Sequence, residues 1–211
     1  MVRSWMVLGL AGLAALAGAV AACNGILGIG PASLESDDGG AALTCQYYCD
    51  TIMQNCPPDT ANGEYLTADV CLKMCPAFEP NSTIADTADD TLGCRIFNAQ
   101  QAASTPDVSC RFAGPLGGGH CGTNACADFC SLDVTYCDGT NGKPLVYPGG
   151  LADCQTACTG FPYLVVDAGD TTLQASNTLN CRLWHLETAY KSNDLGSFHC
   201  PHTGQISTTC K

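Results

Sequence analysis

The spacing of the cysteines constrains this chain more than any other feature of its sequence. Of its 17 cysteines, 16 form two sets of eight. From Cys45 the gaps between successive cysteines are 3, 6, 14, 3, 18, 15 and 10 residues, and from Cys126 they are 3, 6, 16, 3, 22, 18 and 9. Such self-similarity is typical of a duplicated structural unit. The sixteen are Cys45, Cys49, Cys56, Cys71, Cys75, Cys94, Cys110, Cys121, Cys126, Cys130, Cys137, Cys154, Cys158, Cys181, Cys200 and Cys210.

The residues between the cysteines support the duplication. The segment "TLGCRIF" at 91–97 matches "TLNCRLW" at 178–184, and aromatic Tyr48 matches Phe129. We therefore predict two tandem modules, module 1 at residues 45–121 and module 2 at residues 122–211. Eight cysteines in a module of this size are typical of small exported domains, which bury too little apolar surface to fold without disulfides. Each bridge contributes on the order of 3 kcal/mol.

The shortest cysteine gaps predict helices. A CxxxC pair places two thiols one turn apart on the same helix face, and each module has two such pairs. An apolar stripe with helical spacing runs from Cys45 through Ile52 to Cys56. We predict an all-α fold of small disulfide-rich modules, each consisting of a CxxxC helical hairpin and a third helix.

An antiparallel arrangement of the two CxxxC helices predicts four of the disulfides. They are Cys45–Cys75, Cys49–Cys71, Cys126–Cys158 and Cys130–Cys154. This arrangement resembles the twin CxxxC helical hairpins of small disulfide-rich proteins.

The other eight cysteines are less constrained. We expect the third helix to begin at Asp90 in module 1 and at Asn177 in module 2, because both residue types suit the N-cap. The glycine-rich segment 113–122 is predicted to be a loop. Sequence alone leaves many connectivities open, and the pairs that we choose are Cys56–Cys94, Cys110–Cys121, Cys137–Cys181 and Cys200–Cys210.

The first residues are typical of an exported protein. Arg3 precedes an apolar stretch at 5–20, followed by small residues, as in a secretory signal at residues 1–22. Residues 20–23, Val-Ala-Ala-Cys, resemble the bacterial lipobox, which implies that Cys23 receives a diacylglyceryl group. The alternative is an ordinary signal that leaves Cys23 as a spare thiol, but an odd cysteine is a liability in an oxidising compartment. Residues 23–44 then form a lipidated cysteine and a flexible tether.

The lipobox resemblance implies where the protein resides. We expect a lipid-anchored protein of the bacterial cell envelope, held by palmitate-type acyl chains. The outer membrane is the expected location, at its periplasmic face or at the cell surface, although Asn24 after the anchor does not decide between inner and outer membrane. The expected partners are the membrane, through the anchor, and a protein or glycan ligand.

Charge and motifs exclude several functions. The 20 acidic residues outnumber the 8 basic ones and give a net charge of −12, which argues against nucleic-acid binding. The chain has no GxSxG, HExxH or phosphate-loop motif and neither CxxC nor CxxCH. We therefore predict a non-catalytic structural or binding role without a cofactor.

Three histidines of module 2 suggest an alternative. They and their counterparts in module 1, aligned on the cysteines, are His185 (Asn98), His199 (Ser109) and His202 (Phe112). A set of imidazoles present in one copy and absent from the other is compatible with a metal or haem site, and hence with a metal-binding protein or metalloenzyme. The other interpretation is one partly buried helix residue and two surface loop residues.

Two further features belong to both modules. Arg95 and Arg182 each follow a cysteine of the third helix, where we expect a shared salt bridge to a carboxylate. The segments "TLNCRLWH" and "HCPH" also make the chain similar to uncharacterised cysteine-rich lipoproteins of the myxobacterial type. That resemblance implies no activity.

Overall fold

The structure is a computed structural model that describes residues 43–78, 83, 86–163, 175–191 and 193–211. The predicted signal, Cys23 and most of the predicted tether lie outside the described residues. None of the helices in the described part has the length and apolar composition of a membrane span. Residues Ala41–Lys211 form one compact unit.

Within the described residues, each module contributes four α-helices to this unit. In module 1 they are α1 (Cys45–Asn55), α2 (Ala68–Met74), α3 (Leu92–Gln101) and α4 (Pro106–Ala113). In module 2 they are α5 (Ala125–Tyr136), α6 (Leu151–Cys158), α7 (Leu179–Lys191) and α8 (Asn193–His199). Short 3-10 turns lie at Cys75–Ala77, Gly117–Gly119 and Cys200–His202. The described segments contain no strand beyond isolated bridges, so the predicted all-α, disulfide-rich fold is confirmed.

The third helices begin one residue later than predicted. Thr91 caps α3 by accepting a hydrogen bond from Cys94 N at 3.0 Å, and Thr178 accepts the equivalent bond from Cys181 N at 3.1 Å. The prediction of Asp90 and Asn177 as caps is therefore wrong. A threonine hydroxyl is also a good cap acceptor, and it leaves the carboxylate of Asp90 available to Arg95.

The four hairpin disulfides are confirmed, and the other four predicted pairs are wrong. The structure instead joins Cys56–Cys110, Cys94–Cys121, Cys137–Cys200 and Cys181–Cys210. Numbered within a module, the pairs are 1–5, 2–4, 3–7 and 6–8 in both copies. All sixteen cysteines are used, and every bond stays within one module.

The four pairs were predicted wrongly because the sequence did not predict the fourth helix of each module, α4 and α8. The end of α1 packs on the second half of α3, where the Asn55 amide donates to Ala99 O at 2.8 Å. Cys94 lies in the first turn of α3, while α4 brings Cys110 to Cys56. The predicted loop at 113–122 contains the tight turn Gly117–Gly119, in which all three glycines have positive φ.

The two modules share one hydrophobic core. The buried cluster includes Tyr48 and Ile52 of module 1 together with Phe129 and Leu186 of module 2. Polar contacts also cross between the modules, because Lys73 of α2 donates to Tyr190 O at 2.9 Å and to Lys191 O at 3.3 Å. A lysine at these positions supplies donors and positive charge to the C-terminal end of α7.

Candidate functional site

Both modules bury an arginine against a phenylalanine. The Arg95 guanidinium lies 3.9 Å from the centre of the Phe78 ring, and that of Arg182 lies 3.5 Å from the Phe161 ring. Each phenylalanine follows the fifth cysteine of its module by three residues. These cation–π pairs are part of the duplicated scaffold, since they occur at equivalent positions.

The polar partners of the two arginines differ. Arg95 Nη1 donates to Asp90 Oδ1 at 2.6 Å, so the predicted salt bridge is confirmed in module 1. Among the described residues Arg182 has no such ion pair and donates instead to three main-chain carbonyl groups. They are those of Thr178 at 3.0 Å, Gly204 at 3.3 Å and Cys210 at 3.3 Å. Arg182 therefore ties the C-terminal segment to the start of α7.

The three histidines of module 2 lie together. His185 belongs to α7, His199 ends α8, and His202 ends the 3-10 turn that follows. The Nδ1 atoms of His185 and His199 are 2.8 Å apart. The ring centroid of His185 lies 5.0 Å from that of His199 and 4.7 Å from that of His202, and the other two centroids are 6.4 Å apart. His185 is the centre of the cluster.

Aromatic side chains enclose this cluster. The Trp184 ring contacts His185 edge to face at 4.9 Å between centroids, and the Phe198 ring contacts His199 at 5.0 Å and His202 at 5.2 Å. The three imidazoles are buried, whereas 64% of Phe198 is exposed. The cluster thus lies directly beneath the protein surface.

The environment favours neutral imidazoles. Burial lowers the pKa of His199 and of His202, and the neighbouring His202 lowers that of His199 further. In the 2.8 Å contact one Nδ1 must donate and the other accept, so at least one of the two rings is neutral. Nδ1 of His202 is buried and has no hydrogen-bond partner among the described residues. Neutral imidazoles are the form that binds metal ions.

His185 also lies against a disulfide. One of its ring nitrogens and the sulfurs of Cys181 and Cys210 all lie within 4.8 Å of one another, and the described residues contain no other group of three potential ligands this close. Because these sulfurs form a disulfide, they are not the thiolates that bind metals. In module 1 the Asn98 amide occupies the same place, 3.0 Å from Cys121 Sγ.

Sequence reasoning missed a set of buried carboxyl groups. Asp133 of α5 is fully buried, and burial raises its pKa to about 7, while a hydrogen bond from the Thr203 side chain opposes the shift. Its counterpart in module 1 is Ile52, also buried. Aligning the two repeats would have revealed this apolar-to-acidic exchange.

Two other buried carboxyl groups lie where the modules meet. Burial raises the pKa of Asp128 to about 7, with a further contribution from Asp90, while Arg95 opposes the shift. Burial also raises the pKa of Glu187 well above its ordinary value, and Glu187 Oε2 accepts a hydrogen bond from Leu66 N at 3.0 Å. Glu187 therefore connects the third helix of module 2 to module 1.

A surface groove of about 320 Å³ lies in module 2. Its lining includes Leu145, Tyr147, Pro201 and Ile206. Leu145 is 53% exposed and Ile206 is 93% exposed. Exposed branched apolar side chains beside a groove are typical of a contact surface.

The comparisons with known proteins concern module 1. Residues 33–124 match the family model of the BfoA family C-terminal domain. The match contains all eight cysteines of module 1 and none of module 2, and it covers less than half of the chain. The matched family is uncharacterised, so the match adds no activity. No curated protein and no solved structure matches the chain.

Proposed function

We propose that this chain is an exported, lipid-anchored protein of the bacterial cell envelope with a structural or binding role. The observation that carries the proposal is the set of eight disulfides with the same connectivity in both modules. Disulfides form and persist in oxidising compartments, and they are rare in the bacterial cytosol. Export is then a requirement for folding.

The anchor in this proposal is Cys23. All sixteen other cysteines form disulfides within the compact unit, so pairing leaves only Cys23 for another use. Acylation at Cys23, with palmitate-type chains, would hold the body at the outer membrane through the tether at 24–44. Two or more acyl chains are needed for stable attachment.

The binding surface in this proposal is the groove of module 2. Leu145 and Ile206 present apolar surface to solvent, which suits a protein ligand or the apolar face of a glycan. A non-catalytic role is supported by the positions of the buried ionisable groups, because Arg95, Arg182 and Glu187 each hold parts of the fold together.

Metabolic labelling with an alkyne analogue of palmitate tests the anchor. We expect the label on the wild-type protein and its complete loss in Cys23→Ser, with the variant recovered in the soluble fraction after cell lysis. The matched control is Ser36→Ala, which changes the tether and keeps the lipobox. Label retained in Cys23→Ser, or absent from the wild type, would refute the anchor.

Chemical crosslinking on intact cells tests the binding surface. Ile206→Glu should remove crosslinked partners from the anchored protein, because a charge within the groove opposes apolar contact. Val108→Glu is the control, since Val108 is a half-exposed apolar residue of module 1. If both variants keep the wild-type partners, the groove is not the binding surface.

A further inference from the structure

We propose that His185, His199 and His202 form a binding site for one divalent transition-metal ion of the Zn²⁺ type. This site goes beyond the proposed anchoring and binding role, and it does not depend on lipidation. Imidazole nitrogen is a preferred ligand of Zn²⁺, Cu²⁺ and Ni²⁺, whereas Mg²⁺ and Ca²⁺ prefer oxygen. A site made of three imidazoles therefore selects transition metals by its donor atoms.

The contact between His185 and His199 has nearly the geometry of two ligands on one ion. Their Nδ1 atoms are 2.8 Å apart. Two nitrogens that share a tetrahedral Zn²⁺, each about 2.0 Å from it, are roughly 3.3 Å apart. Separation of the two rings by about half an ångström would make room for the ion, once the proton of the donating Nδ1 has moved through water to Nε2 of the same ring.

The spacing of the three rings fits the same ion. Three imidazoles around a tetrahedral Zn²⁺ have centroids roughly 5 Å apart. Two of the three separations in this cluster, 5.0 Å and 4.7 Å, are close to that value, and the third is 6.4 Å. Three protein ligands would leave a fourth position for water.

His202 must rotate to become the third ligand. In this structure the ligand nitrogens of the three histidines do not all lie within 4.8 Å of one another. However, Nδ1 of His202 is buried without a hydrogen-bond partner among the described residues, and a buried polar atom without a partner is costly. Rotation about χ2 of histidine is soft, so a bound ion would satisfy this nitrogen at small conformational cost.

A metal ion fits this cluster better than haem. The contact between the Nδ1 atoms of His185 and His199 leaves no space between them for a porphyrin ring, which argues against a haem ligated by both imidazoles. The third histidine would also have no role in haem ligation.

Module 1 supplies the substitutions that test the site. Its residues at the three positions are Asn98, Ser109 and Phe112, and they occupy the same scaffold. His185→Asn is the most informative single change, because Asn98 already shows that asparagine fits against the equivalent disulfide. His199→Ser provides the second variant. The matched control is His120→Asn, since His120 is the exposed histidine of module 1.

The experiment measures Zn²⁺ binding to the full chain. The protein is exported so that its disulfides form, purified in detergent without a polyhistidine tag, and titrated by calorimetry, with Co²⁺ absorption as a second readout. We expect one Zn²⁺ per chain and a tetrahedral Co²⁺ spectrum. His185→Asn and His199→Ser should each weaken Zn²⁺ binding about 100-fold or more. Loss of a residue that only orients a metal ligand already weakens binding by up to about this factor, and these two histidines are ligands themselves. His120→Asn should bind as the wild type does.

Several outcomes would overturn the site. They are the absence of stoichiometric Zn²⁺ or Co²⁺ binding by the wild type, equal affinity in His185→Asn, or equal loss in His120→Asn. Disulfide mapping of each variant by mass spectrometry separates loss of the site from misfolding. If His185→Asn misfolds, His199→Ser and the Co²⁺ spectrum still decide the question. Cys23→Ser should bind Zn²⁺ normally, so failure of the anchor and failure of the site are distinguishable.

Discussion

The two modules share their scaffold and differ in a small set of buried side chains. Both have four helices in the same order, the same four disulfide pairs and an arginine stacked on a phenylalanine. The replaced residues include Ile52, which becomes Asp133, and Asn98, which becomes His185. The scaffold thus tolerates ionisable groups at positions where module 1 has none.

Comparison of the two modules distinguishes the features of the common scaffold from the features that are specific to module 2. The disulfides and the buried arginines occur in both copies, so we assign them to the scaffold. The histidine cluster and Asp133 occur in module 2 alone, and module 1 has the same helix order and disulfide connectivity without them. The histidine cluster and Asp133 are therefore the places to look for a specific role.

The largest expected effect concerns the shared scaffold. The double substitution Cys56→Ala with Cys110→Ala removes the Cys56–Cys110 disulfide. It should lower the free energy of unfolding by about 4 kcal/mol, because this bond closes a long loop in the unfolded chain. Cys137→Ala with Cys200→Ala should cost about the same. Denaturant unfolding followed by circular dichroism measures both. Costs that differ by more than about 2 kcal/mol would contradict equivalent roles for the two bonds.

The second-largest expected effect concerns the core position that is Ile52 in module 1 and Asp133 in module 2. Asp133→Ile, which copies module 1, should raise the free energy of unfolding at pH 7 by about 2 to 4 kcal/mol, since it removes a buried carboxyl group whose ionised form is penalised by desolvation. Because the folded-state pKa of Asp133 is raised to about 7, its cost is absent below about pH 4, where the carboxyl group is protonated in the folded and unfolded states. The cost then grows as the pH rises from about 4 to about 7.

Unfolding at a series of pH values measures this effect. The wild type should lose stability from pH 4 to pH 7 by up to about 1.4 kcal/mol per pH unit for this group, and Asp133→Ile should have a flatter profile. Asp59→Asn is the control, because Asp59 is exposed. An unchanged pH profile in Asp133→Ile would show that the carboxyl group is not buried as described.

The smallest effect tests the equivalence of the third helices. Thr91→Ala and Thr178→Ala should each lower stability by about 1 kcal/mol, because each removes the hydroxyl that caps its helix. Thr135→Ala, at an exposed position in the last turn of α5, should change stability by less than about 0.5 kcal/mol in magnitude, the range of exposed substitutions. Thermal unfolding of the three variants compares them. A cap effect in one module only would mean that the third helices differ in how they are anchored.

Much of the scaffold was predictable because the cysteine spacing determines the helical hairpin of each module. The CxxxC pairs predict two facing helices, and this local geometry fixes Cys45–Cys75 and Cys49–Cys71. Prediction failed for Cys56 and Cys94, whose partners depend on how α3 and α4 pack on α1. Such long-range packing is not encoded in spacing along the chain.

The candidate site was predictable in membership and not in geometry. The alignment of the repeats selects His185, His199 and His202, and the structure brings their rings together. Their contact depends on α8, a short helix without a periodic sequence signal long enough to predict it. The buried carboxyl groups were missed because acidic residues are most often exposed.

The confinement of every disulfide to its own module has a consequence for proteolysis. Between Cys121 and Cys126 the halves are joined by the peptide chain alone, and Thr123 and Asn124 are exposed there. Hydrolysis of one bond in this segment would convert the monomer into a heterodimer of two cross-linked fragments. The shared core, the donors of Lys73 and the hydrogen bond from Leu66 to Glu187 would then hold the two fragments together without a covalent link.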